Sequence, residues 1–183
     1  MQTYLGAPNG KIVKIDPFNP EKENWVEVVP HRSEAILRGY SIAHGRIASS
    51  YLFDASTRIE LADLNGKPIG ALRLPGTGSA GLSTSRDRTE AFLSYSSFNE
   101  PSSIYHVDLA TPDAEPAVWE KLDVPFDSDS VVVKRVKYSS KDGTEVGMFI
   151  VHRKGLELNG DNPTILYGYG GFNIPMTPRF RAT

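Results

Sequence analysis

Residues 167–171, Tyr-Gly-Tyr-Gly-Gly, set two phenols among three glycines. A phenol can donate a hydrogen bond across a pocket, and glycine allows positive φ and a close approach of backbone to a ligand. Immediately upstream, Thr164, Ile165 and Leu166 form an apolar, partly β-branched run bounded by turn formers. That pattern predicts a short buried strand. A glycine-rich turn closing such a strand is a place to hold a donor toward a carbonyl oxygen that gains charge during acyl transfer. The same residues also read as a tight turn with packed tyrosines, and their types alone leave both readings open.

Other chemical signals are weaker. Residues 76–81, Gly-Thr-Gly-Ser-Ala-Gly, match G-x-G-x-x-G. A dinucleotide site needs a helix N-terminus directly after that motif. Here Pro75 precedes it and a strand pattern follows residues 83–88, which predicts a turn between sheets. Ser79 is not a nucleophile elbow, because Thr77 stands where G-x-S-x-G needs glycine. His31, His44, His106 and His152 include no i, i+4 pair. Asp123, Asp127 and Asp129 lack the order and glycine of a calcium loop and read as a solvated linker. No cofactor and no metal are expected.

Composition narrows the function classes. The 183 residues carry 20 basic and 22 acidic side chains and no cysteine. A net charge of −2 gives no electrostatic basis for binding nucleic acid or an anionic membrane. Disulfides and thiolate metal sites are excluded. No apolar stretch approaches the roughly 20 residues of a membrane helix. Residues 1–8 lack the charged and apolar regions of a signal peptide, so the stretch reads as cytoplasmic. A periplasmic location is expected instead if a longer parent carries a leader.

The elements that must position the glycine segment are strands. Residues 11–16, 58–63 and 103–108 share one pattern: isoleucine four positions before an aspartate, with an apolar residue just before it. Asp16, Asp63 and Asp108 recur at roughly 45 residues, each followed by turn chemistry and a further short strand. Partner strands are predicted at residues 3–5, 47–53 and 91–96, and outer ones at 25–29, 71–74 and 117–119. Innermost strands are predicted at 36–42 and 79–82. Four strands per period is the mark of a propeller blade, giving two complete blades and the outer part of another, with a generic β-sandwich as the alternative the repeat alone leaves open. The aspartates read as turn initiators, since Asp bonds its own backbone there. Residues 121–130 read as a linker, and residues 131–138 and 145–152 as a hairpin around Asp142-Gly143. No helix of useful length is predicted.

Residues 139–144 (Ser-Ser-Lys-Asp-Gly-Thr), 148–155 (Met-Phe-Ile-Val-His-Arg-Lys-Gly) and 166–174 (Leu-Tyr-Gly-Tyr-Gly-Gly-Phe-Asn-Ile) resemble the prolyl oligopeptidases, and residues 103–108 extend the likeness upstream. The sister oligopeptidase B usually carries Ser-Tyr-Gly where this chain has Gly171-Phe172-Asn173, so the prolyl branch is the better match. That family joins a seven-bladed β-propeller to an α/β-hydrolase domain. The resemblance implies a mainly β chain. Residues 1–125 would be the C-terminal propeller blades, and residues 126–183 the first strands of the α/β-hydrolase domain. It implies a parent serine peptidase that cleaves short peptides after proline through an acyl-enzyme. The catalytic serine, aspartate and histidine would lie outside this stretch, which alone would be inactive. It assigns oxyanion stabilisation to Tyr169 and the wall of the proline pocket to Phe172, with Asn173 and Ile174 nearby. A flat aromatic wall suits a rigid pyrrolidine ring. Tyr167 is expected to pack beneath the turn. The implied partners are short proline-containing peptides and the remainder of the propeller and hydrolase domain. Two alternatives stay open: a non-catalytic propeller module that binds a partner, and an oligopeptidase B-like peptidase.

Overall fold

The computed structural model describes residues 1–172 and 174–181. Among the described residues thirteen strands form four antiparallel sheets, each built from strands consecutive in the chain. The first holds β1 (Gln2–Thr3), β2 (Lys11–Lys14) and β3 (Val26–Val29). The second is β4 (Ala35–Ala43), β5 (Arg46–Phe53), β6 (Ser56–Asp63) and β7 (Pro68–Ala71). The third is β8 (Ser79–Thr84), β9 (Glu90–Ser96), β10 (Ser103–Asp108) and β11 (Ala117–Lys121). The fourth is the hairpin of β12 (Val131–Ser139) and β13 (Glu145–Arg153). The described residues hold only two short 3-10 turns besides. None of their helices is long and apolar enough to cross a membrane.

Side-chain alternation along the pleat decides which face each strand buries. Ala91, Leu93 and Tyr95 of β9 and Tyr105 and Val107 of β10 point one way and are buried. They pack with Ala43, Ala48, Ile59 and Leu61 of the second sheet and with Leu72, just after β7. The other face of the second sheet offers Leu37, Ile47 and Tyr51 to Ile12, Val28 and Val29 of the first. The first three sheets are therefore stacked blades, with one apolar layer between the first and second and another between the second and third. Phe92, Ile104 and Trp119 occupy the opposite face of the third sheet and stay exposed, with Phe92 and Trp119 in edge contact at 5.2 Å.

The three repeat aspartates do the work their spacing predicts. Asp16 Oδ1 accepts from the Phe18 amide at 2.9 Å, Asp63 Oδ1 from Asn65 at 2.8 Å, and Asp108 Oδ1 from Ala110 at 2.9 Å. These Asx turns hold the carboxyls of Asp16 and Asp108 below the ordinary value, because an amide bonds the charged form. The glycine motif at 76–81 is a packing device. A Cβ on Gly78 would stand 2.5 Å from the Tyr95 ring and 2.6 Å from the Ser96 carbonyl oxygen, and β8 begins directly afterwards.

A buried polar contact braces the third sheet. The Tyr105 hydroxyl donates to Glu100 Oε1 at 2.5 Å, beside Tyr95. Burial, then the Glu100 carboxylate, pushes the Tyr95 phenol up to about 12, and burial with the Glu100 hydrogen bond raises Tyr105 as well. A raised phenol favours the folded state's protonated form. Its stabilisation is intact below the unfolded value of about 10 and is lost as pH rises toward the folded value. Urea midpoints should accordingly hold steady up to about pH 10 and then decline toward about pH 12. In Tyr105→Phe the alkaline decline should be shallower; an unchanged slope would show that these phenols do not couple folding to pH.

Two expectations for the chain beyond the blades change. Residues 164–166 form no strand: Ile165 and Leu166 are 93% and 86% exposed. β12 and β13 satisfy each other's ladder, and no described strand pairs with 164–166. An unpaired strand gains no ladder bonds, so the segment stays extended and solvated. The described residues also include no α-helix, so the α/β layering expected to begin at residue 126 is not displayed. Beyond the blades the described residues form a short 3-10 turn, the hairpin and a tail without regular secondary structure. The Asp142-Gly143 turn of the hairpin forms as predicted, with Gly143 at φ +82° and Asp142 Oδ1 accepting from the Thr144 amide at 3.0 Å. Arg135 Nη1 of β12 donates to Asp54 Oδ2 at 2.7 Å, tying the hairpin to the second sheet.

Candidate active site

The tail returns across the blades. Pro178 is buried, the Phe180 amide donates to Ser96 Oγ at 3.1 Å, and the Phe180 ring meets Phe126 edge-on at 5.1 Å. With its end pinned to the third sheet, the glycine segment passes over β4 and β5. Between them lies an open cavity of about 330 Å³, lined by Ile36, Arg38 and Leu52 from the blade and by Tyr169, Gly170, Gly171, Phe172, Ile174 and Pro175 from the tail.

Three of the four sequence-assigned site residues share this cavity: Tyr169, Phe172 and Ile174. Asn173 lies outside the described residues. Tyr169 is 50% exposed, and among the described residues its hydroxyl has no hydrogen-bond partner, leaving its donor available. Phe172 is 90% exposed and shows its ring to solvent and the cavity mouth. Tyr167, expected beneath the turn, is 69% exposed and does not line the cavity. With residues 164–166 solvated rather than buried, the start of the turn has no apolar layer for the Tyr167 ring to enter.

The glycines act by absence of bulk. None of Gly168, Gly170 and Gly171 takes positive φ; that conformation falls on Phe172, at φ +53°. The Ile174 amide closes the turn on the Gly171 carbonyl at 3.1 Å. A Cβ on Gly168 or Gly170 would meet nothing within 4 Å, so both flanks of Tyr169 are open. The described lining combines a donor, apolar walls and one cation, with no serine, cysteine or histidine. It can bind and polarise a carbonyl; it holds no nucleophile or base.

A larger concavity of about 430 Å³ adjoins the linker at Asp123, Asp127 and Asp129. Asp127 Oδ1 there accepts from the Asp129 amide at 3.0 Å. Among the described residues no three His, Cys, Asp or Glu side chains are grouped to hold a metal ion. The blade contribution to the Tyr169 cavity was not foreseen. Ile36, Arg38 and Leu52 carry no motif, and only the fold brings them within reach of the tail.

Known proteins resemble this chain in sequence and fold. The family model "Prolyl oligopeptidase, N-terminal beta-propeller domain" matches residues 1–120. The prolyl endopeptidase of Elizabethkingia meningoseptica is 36% identical over 179 residues, covering 97% of this chain and 25% of that protein. A solved prolyl endopeptidase superposes with a TM-score of 0.86 at 41% identity, covering 99% of this chain and 27% of the other. Prolyl oligopeptidase B from Galerina marginata, solved with a 35-residue hydrolysis and macrocyclization substrate, gives 0.83 at 29% identity, with 98% and 26% covered. The chain thus spans about a quarter of the length of the curated relatives it matches. With stacked four-stranded blades and a family match over residues 1–120, this chain belongs to the prolyl oligopeptidase family and carries part of its β-propeller.

Proposed function

We propose that the chain is part of a serine peptidase that cleaves short peptides after proline, with propeller blades over residues 1–125 and the opening of the hydrolase domain over 126–183. The observation that carries this reading is the Tyr169 hydroxyl, without a hydrogen-bond partner among the described residues, at a cavity lined by Phe172 and Ile174. The likeness to prolyl endopeptidases continues past residue 120 to nearly the whole chain, which supports the hydrolase assignment of the tail. In this reading a serine from the rest of the protein attacks the carbonyl carbon of a proline residue. Negative charge gathers on the carbonyl oxygen, and Tyr169 donates to it. The bond is strongest where charge is greatest, so it lowers the barrier rather than merely tightening binding. Phe172 offers a flat face to the pyrrolidine ring.

A free-standing binding module fits less well. The exposed face of Phe92, Ile104 and Trp119 is what a blade offers to a neighbouring blade in a ring. The full-length product of the gene should hydrolyse a short proline-containing chromogenic peptide, while residues 1–183 alone should not. Activity in the 183-residue chain, or none in the full-length protein, would remove this reading.

A further inference from the structure

Arg38 is an exposed residue of β4. Among the described residues its guanidinium makes no ion pair, unlike Arg32, Arg58, Arg73 and Arg135, which all meet carboxylates. The pairing of β4 with β5 shifts register between Leu37 and Gly39, so Leu37 stands opposite Tyr51, Gly39 opposite Ser50, and Arg38 opposite nothing. It is the extra residue of a β-bulge, a device that re-aims one side chain and gathers near functional sites. The bulge sends Arg38 to the cavity that also holds Tyr169, where it is the only charged residue among the described lining. Around it stand Ile36, Leu52, Phe172 and Ile174. A guanidinium pairs with a carboxylate through two parallel hydrogen bonds.

We propose that Arg38 is a specificity-determining residue that recognises a carboxylate on the peptide bound beside Tyr169. This rests on the peptidase reading above and adds the substrate class: proline-containing peptides bearing negative charge near the cleaved bond. The carboxylate has two possible sources, an acidic side chain or a free C-terminus.

Full-length protein would be assayed on proline peptides that differ only by Glu against Gln next to the proline, and by a free against an amidated C-terminus. An uncharged proline peptide serves as reference. Arg38→Gln should lower kcat/KM for the carboxylate-bearing member of one pair by about ten- to a hundredfold. The uncharged peptides should change by less than about twofold. The pair that responds identifies the source. Arg38→Lys should recover part of the loss, since it restores charge without the fork. The wild-type preference should weaken with added salt. Equal losses on charged and neutral peptides, or no loss on either pair, would overturn the assignment of Arg38 while leaving the peptidase reading intact. Wild-type protein that cleaves no proline peptide would overturn both.

Discussion

Replacing Tyr169 by phenylalanine in the full-length protein should lower kcat on a proline peptide by about a hundred- to a thousandfold. Loss of one donor at an oxyanion position costs roughly 2.7–4 kcal/mol of transition-state stabilisation. KM should barely move, because the ground-state carbonyl gains little from a bond that matures only as charge develops. The substitution deletes one oxygen from a half-exposed ring whose hydroxyl has no described partner, so unfolding should shift by no more than about 0.5 kcal/mol. Tyr167→Phe is the internal comparison: the same chemistry changes two positions away, on a ring outside the cavity, and kcat should stay within about twofold. An unchanged kcat in Tyr169→Phe, or an equal fall in both variants, would withdraw the catalytic assignment.

The largest expected effect on folding lies far from that cavity, at Gly66→Ala. Gly66 sits at φ +86° in the turn between β6 and β7, and a Cβ there would stand 1.9 Å from the Val28 carbonyl oxygen. Two penalties combine. The left-handed conformation costs alanine about 1–2 kcal/mol, and backbone of the first sheet must yield to admit the methyl, roughly 1–3 kcal/mol more. Gly45→Ala separates them, since Gly45 has φ +72° but nothing within 4 Å of its Cβ position. Urea unfolding should place Gly66→Ala about 2–5 kcal/mol below the parent and Gly45→Ala only about 1–2. Equal losses would mean that the turn does not press on the neighbouring sheet.

Much of the blade architecture was legible because it is locally encoded. The repeated aspartates announce their turns through bonds to amides two residues on, and the Asp-Gly hairpin is a backbone requirement written in residue type. Strand faces follow from alternation, as at Ala91, Leu93 and Tyr95. The misjudged elements depend on partners. The outer strand of the second sheet is Pro68–Ala71 rather than 71–74. Leu72 continues the buried face, and its amide still bonds Ile59 at 2.8 Å, but regular pairing has ended. Its apolar pattern marks burial rather than the ladder. Residues 164–166 have the composition of a strand and no mate among the described residues. For the candidate site, it was the family resemblance, rather than residue type alone, that pointed to Tyr169, Phe172, Asn173 and Ile174. Arg38 escaped because a bulge is a mismatch between two strands and cannot be seen in either one alone.

The strict succession of strands within each sheet bears on how the protein is made. A ribosome adds about 5–20 residues per second, whereas antiparallel strands pair within about 1–10 microseconds. Each blade can therefore zip shut as soon as its outermost strand clears the exit tunnel, and the next is laid onto an already formed apolar face. The contact between Arg135 and Asp54, which joins the hairpin to a blade finished long before it, must be among the last to form.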